Sequence, residues 1–164
     1  MQVDIGFGDV VVPGPTMVEY PTLLDFPAPV LQAYPRETVI AEKLEALTAL
    51  GLLNSRMKDY YDLALLSRMY SFEGEHLIEA IVATFRHRGT TIEAKPVGLT
   101  DAFCADPARA IQWRAFIRRS RFVEESGELE RLLAEIRQFA FPLLAAAAGE
   151  KSFKARWQPG GPWA

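Results

Sequence analysis

The chain has 164 residues, 49% of them hydrophobic, a formal net charge of −3 and a single cysteine, Cys104. That length suits one domain with enough apolar content to bury a core, and the charge argues against a generally basic protein that coats nucleic acid. One cysteine excludes an internal disulfide and fits a reducing compartment, no run approaches the roughly 18 apolar residues of a membrane span, and Met1 is not followed by a signal sequence; the expectation is a soluble cytoplasmic protein with no membrane attachment.

Val3, Ile5 and Phe7 alternate with Gln2, Asp4 and Gly6, the period-2 pattern of a half-buried strand. Gly8 and Asp9 allow a turn, and residues 10–12 supply a returning strand. An isolated hairpin is marginal in water, so these strands must lie on helices or pair with others. Residues 13–35 hold six prolines and read as an extended strap across the core, pinned by Val18, Leu23, Leu24, Phe26, Val30 and Leu31. Residues 1–34 thus form one unit, a hairpin with a proline-rich strap, and residues 35–164 a helical domain.

Pro35 suits the first turn of a helix over about 35–50, where its missing N–H costs nothing. At 100° per residue, Val39, Ile40, Leu44, Leu47 and Leu50 make one apolar arc with Lys43 in its middle, while Glu37, Glu42, Glu45 and Thr48 point to water. Gly51 ends this helix, and Asn54 or Ser55 caps the next, over about 56–70. There Tyr61, Leu65, Leu66 and Met69 form the inward arc, with Asp62 at its centre and Lys58 and Asp59 flanking it. A link this short predicts an antiparallel pair that brings Lys43, Asp59 and Asp62 to similar heights. Charges in an apolar arc are costly unless paired. Either they form a buried ion pair that fixes the packing, or they are a cluster of titratable groups at a site. The chemistry such a cluster suits is phosphoryl or nucleotidyl transfer: a lysine is a compact charge for a triphosphate, and carboxylates hold magnesium or orient an attacking hydroxyl. Arg56, near the helix start, is within reach of a phosphate or is an ordinary surface arginine.

A third helix over about 74–87 carries Leu77, Ile81 and Phe85, with Gly89 after it. His76 and His87 are too far apart on it to share a metal, and there is no other histidine. Asp106 and Pro107 are an N-cap and first-turn pair for a fourth helix, with an apolar stripe of Ala110, Trp113, Phe116 and Ile117. Arg114, Arg118 and Arg121 line one flank of that helix, Arg109 and Arg119 lie nearby, and no acid falls between 109 and 121. This is either a solvated flank snorkelling over the core or a contact for RNA or a protein partner. Leu129, Leu132, Leu133, Ile136 and Phe139 form a fifth helix that Pro142 should bend or interrupt. The tail KSFKARWQPGGPWA is too rich in Gly and Pro for a helix, but Phe153, Trp157 and Trp163 can staple it to the surface.

The run YPRETVIAEKLEAL (34–47), followed by NSRMKDYYDL (54–63), resembles the AbiEii/AbiGii toxin family of nucleotidyltransferases. The likeness extends through TFRHRGT and QWRAF and covers nearly all of the chain. It implies an α+β fold, mostly helical here, whose small N-terminal β element is part of a DNA-polymerase-β-like core. It also implies transfer of a nucleotide from a nucleoside triphosphate to an acceptor such as tRNA, with Mg2+, in a toxin–antitoxin or phage-defence system with a cognate antitoxin as partner. By the resemblance Lys43 binds the nucleotide, helped by Arg56 and Lys58, and Asp59 and Asp62 are the paired catalytic acids, Asp59 ahead of Asp62. Asp4 is then a metal carboxylate; read from the residues alone it is a solvent-facing strand acid. The family's Gly-Ser or Gly-Gly turn and Asp-x-Asp strand do not occur in these 164 residues. The resemblance is therefore to a C-terminal portion, inactive alone. The alternative is a non-catalytic module that binds an antitoxin or RNA through Arg109, Arg114, Arg118 and Arg121.

Overall fold

A computed structural model describes residues 8, 10–22, 24–120 and 128–164. The expected strand carrying Asp4, the Gly8–Asp9 turn, Leu23 and Arg121 fall wholly or partly outside these residues. The elements run β1 (Thr16–Glu19), β2 (Val30–Ala33), α1 (Arg36–Leu50), α2 (Met57–Met69), β3 (Phe72–Glu73), α3 (Gly74–Arg88), α4 (Asp101–Cys104), α5 (Pro107–Ser120), α6 (Leu129–Ala148) and β4 (Arg156–Trp157). Short 3-10 turns at Gly51–Leu53 and Val97–Leu99 link the helices. The chain is mixed α and β, dominated by helices, as the sequence leads one to expect.

The β structure lies elsewhere than the alternation suggested. Residues 10–12 are not in a strand, and the strap itself holds an antiparallel hairpin, Thr16 opposite Ala33 and Glu19 opposite Val30. Its apolar side chains do not pin it down: Val18, Leu24, Phe26, Val30 and Leu31 are all exposed, Leu24 and Phe26 by more than two thirds. Four-residue strands flanked by prolines can pair with each other but offer too little surface to seat on the helices. What ties this region to the helices is Val12, whose N–H donates to Thr38 Oγ1 at 3.1 Å while the Thr38 hydroxyl donates to the Val12 carbonyl at 3.0 Å.

Among the described residues one apolar core unites the six helices and the tail, from Ile40, Leu44 and Leu47 through Tyr60, Leu63, Ile81, Phe85, Phe103 and Trp113 to Ile136, Phe139 and Trp157. Helix α1 packs chiefly on α3 as well as on α2, so it is covered on more than one face. Glu45 and Thr48, expected in water, are buried, whereas Leu50 is exposed. Burying the Glu45 carboxylate is offset by Arg88 Nη1 at 2.7 Å and the Thr90 hydroxyl at 2.5 Å. In α2 the buried face is Met57, Asp59, Tyr60, Leu63, Ala64 and Ser67, rotated from the expected arc; Leu65 and Met69 face outward. The run YYDLALL is apolar on nearly every face, so its own periodicity does not choose a side, and the aromatic partner does: Tyr60 stacks on Phe103 at 5.0 Å.

Pro142 does not end α6, which continues through it to Ala148. A proline inside a helix costs about 3 kcal/mol, but Leu143, Leu144, Ala146 and Ala147 beyond it are buried, and burial of the leucines alone is worth about that much. The tail is stapled as expected. Trp157 pairs with Phe72 in a short antiparallel sheet and donates Nε1–H to the Ser67 carbonyl at 2.7 Å, and Trp163 stacks on Phe139 at 5.6 Å.

Candidate functional site

The α1–α2 connection is built to hold the first turn of α2 in place. Gly51 ends α1 with φ of 49°, a conformation that favours glycine, and its N–H returns to the Leu47 carbonyl. Neither Asn54 nor Ser55 caps α2 as expected: the N-cap position is Arg56, without a side-chain cap, and Asn54 Oδ1 accepts the Arg56 N–H at 2.8 Å just before the helix begins at Met57. Helix α5 starts as expected, with Asp106 Oδ1 accepting the Ala108 N–H at 2.9 Å.

Arg109 is not on the basic flank. It is 9% exposed, and its guanidinium donates to the Leu52 carbonyl at 2.6 Å, the Asn54 carbonyl at 2.8 Å and Gln112 Oε1 at 2.8 Å, with its charge over the Phe103 ring. Carbonyls left over at the end of α1 and in the following turn need donors, and Arg109 supplies them from across the fold. It therefore leaves the set of surface contacts. Arg114 and Arg118 are exposed as expected, beside a recess of about 420 Å³ formed with Ile111, Trp113 and Ile117.

Lys43, Asp59 and Asp62 do come together. Lys43 Nζ lies 3.1 Å from Asp59 Oδ1 and 2.7 Å from Asp62 Oδ2, bridging the two acids from α1. Asp59 is the more deeply buried, its side chain 6% exposed against 19% for Asp62. Each acid has a second cation close in sequence: Arg56, just before α2, has its Nε 2.7 Å from Asp59 Oδ2, and Lys58 Nζ on α2 is 2.5 Å from Asp62 Oδ2. Asp59 Oδ2 accepts no hydrogen bond from the described residues, so the Arg56 contact is an ion pair with its N–H turned away from that oxygen. A buried acceptor with spare capacity at the edge of a groove is what a carboxylate that receives a ligand's proton needs.

The cluster opens on one side. A groove of about 450 Å³ runs from Ser55, Arg56, Met57, Lys58 and Asp59 to Gln112, Ala115, Phe116 and Arg119. The α5 side of this groove was not singled out from the sequence, although residues 112, 115, 116 and 119 share one helical face at i, i+3, i+4 and i+7.

A metal does not fit the described residues on their own. They contain no group of three His, Cys, Asp or Glu able to hold an ion, and both aspartates already face two cations. Beneath the site, Tyr60 donates its hydroxyl to the Gly98 carbonyl at 3.0 Å, and burial pushes its pKa well above the usual tyrosine range. Burial also raises the Cys104 thiol, so it is a poor nucleophile.

No described helix is long and apolar enough to cross a membrane. Among curated proteins and among solved structures, nothing matches this chain. The family model of the nucleotidyl transferase AbiEii toxin, of type IV toxin–antitoxin systems, matches residues 1–141. That span includes α1, α2 and α5 with every described residue of the cluster and groove, and the chain belongs to the AbiEii nucleotidyltransferase toxin family.

Proposed function

We propose that this chain carries the nucleotide-binding lysine and the acidic pair of a toxin that moves a nucleotide from a nucleoside triphosphate to an acceptor such as a tRNA end. The observation that carries the reading is Lys43 Nζ held between Asp59 and Asp62 at the head of an open groove. Lys43 meets the triphosphate as a point charge, and Arg56 and Lys58 add charge at the rim. Asp59, buried and with an oxygen that accepts no hydrogen bond from the described residues, receives the proton of the attacking hydroxyl; Asp62 holds Lys43 in position. Magnesium is assigned to Asp4 together with carboxylates of the Asp-x-Asp type, and no step here runs through it.

The phosphate-cradling turn and the Asp-x-Asp strand are absent from the 164 residues, so the chain alone is catalytically silent. The exposed apolar residues of the β1–β2 hairpin support this, since residues 1–34 then read as the remnant of a catalytic sheet awaiting further strands, with 35–164 as its helical companion. The setting is the cytoplasm, in phage defence, opposite a cognate antitoxin. The test is incubation of the purified chain with labelled nucleoside triphosphates, magnesium and total tRNA. No label should transfer; robust transfer that Lys43→Ala abolishes would show that the missing motifs are dispensable.

A second reading rests on the outer face of α5. Arg114 and Arg118, exposed beside Ile111 and Ile117, form a mixed basic and apolar recess suited to an antitoxin or an RNA. It predicts partner binding that Arg114→Glu abolishes and Lys43→Ala does not touch.

A further inference from the structure

We infer that the outer edge of β2 pairs antiparallel with β2 of a second copy of this chain, about a twofold axis through Leu31, so that two hairpins join into one sheet. The pairing goes beyond the nucleotidyl-transfer reading and does not depend on it. A two-stranded hairpin alone is marginal in water, and a sheet that holds by itself needs more strands. Among the described residues β1 and β2 form such a two-stranded sheet, with Met17, Val18, Val30 and Leu31 exposed on it.

The hydrogen-bond alternation leaves one side of β2 unpaired. The Tyr20 N–H donates to the Pro29 carbonyl at 2.9 Å, one step beyond the Glu19–Val30 pair. Bonded and non-bonded pairs alternate along an antiparallel ladder, so Leu31 is bonded to Val18, while Val30 and Gln32 turn their N–H and C=O groups away from β1. No described strand takes them. Edges of this kind are usually guarded by a charge or a proline. On β1 the outward positions are Met17 and Glu19, and Glu19 supplies the charge. The β2 sequence, Val-Leu-Gln-Ala, supplies none. Pro29 does not guard it either, because its carbonyl faces β1.

The missing charge also selects the occupant. With the axis at Leu31, Val30 of one copy stands opposite Gln32 of the other, each exchanging its N–H and C=O with the other, and no like charges are opposed. Leu31 meets Leu31 of the second copy as a non-bonded pair, the kind in which side chains approach most closely. Val18, opposite Leu31 within each hairpin, continues the apolar row across the joined sheet. Choosing a strand of a different protein needs a selective element, and β2 carries no charge to provide one.

The experiment is sedimentation equilibrium of the whole chain from about 1 to 300 µM, with disulfide trapping as a second readout. The mass should double reversibly from 18.3 kDa as concentration rises. Dimerisation should change less than about twofold between about 0.05 and 0.5 M salt, since no ion pair makes it. Gln32→Pro removes an outward N–H while sparing the bonds to β1, and should weaken dimerisation at least about tenfold. Met17→Pro, the same change at an outward position of β1, should leave it within about twofold. In a Cys104→Ser background, Leu31→Cys should form an intermolecular disulfide on mild oxidation and Met17→Cys should not, because only residue 31 meets itself across the axis. A monomer at every concentration would leave the edge to a strand of another protein and overturn the inference. Dimerisation that survives Gln32→Pro, or that salt disperses, would overturn it too. If both proline variants are monomeric, the trap decides. A Leu31→Cys disulfide then upholds the pairing, and its absence contradicts it.

Discussion

Lys43 and Asp59, 16 residues apart and on different helices, meet at 3.1 Å. Nothing in either helix alone requires the contact; it depends on a turn pinned by Arg109 and held by the Asn54 bond to the Arg56 N–H just before α2. The same bridge could serve packing or chemistry, and its energetics separate the two.

Lys43→Met should cost little stability, about 1–2 kcal/mol at most. Asp59 keeps Arg56 and Asp62 keeps Lys58 when the lysine is removed, so neither carboxylate is stranded. Chemical denaturation measures it. A loss of about 3–5 kcal/mol, the usual result of breaking a buried pair, would mark Lys43 as part of the scaffold.

Arg109→Met should destabilise by about 2–4 kcal/mol, because the buried Asn54 carbonyl loses its donor and the part-buried bond to the Leu52 carbonyl is lost with it. Arg114→Ala and Arg118→Ala, on exposed positions of the same helix, should stay within about 0.5 kcal/mol. Equal effects at all three in urea unfolding would contradict the placement of Arg109.

Tyr60 makes stability depend on alkaline pH. Its folded pKa is raised by burial above the ordinary value of 10.0, so the neutral hydroxyl stabilises the fold in full below pH 10. Above that, the unfolded chain gains by releasing the proton and stability falls as pH rises. Melting temperatures from pH 9 upward should drop more steeply in the wild type than in Tyr60→Phe, which itself costs about 1 kcal/mol at neutral pH for the lost bond to Gly98. Parallel curves would show that Tyr60 titrates as an exposed phenol.

How far the sequence reached varies by element. Helices with a defined start or stop, such as Asp106 before α5 and Gly89 after α3, were legible because one residue's chemistry sets each boundary. The inward face of α2 was not, because YYDLALL is apolar almost all round and Phe103, distant in sequence, chooses the face. Glu45 and Arg109 were misplaced for a related reason: a charged side chain is read as exposed unless its partner is known, and Arg88 and the Leu52 carbonyl lie 43 and 57 residues away. The convergence of Lys43 with both aspartates was legible, since a short turn between two helices fixes the relative height of their residues. The groove beside them was not, as its second wall comes from α5.

In the function proposed above, the Lys43–Asp59–Asp62 cluster receives a nucleoside triphosphate. The most direct measurement is an NMR titration of the isotopically labelled chain with nucleoside triphosphates and magnesium, following the Lys43 side chain and the amides of residues 56–62. Saturable shifts concentrated on Lys43, Arg56, Lys58 and Asp59, and lost in Lys43→Ala, are the predicted result. Triphosphate that leaves these signals unmoved at millimolar concentration, or shifts them equally in Lys43→Ala, would contradict it.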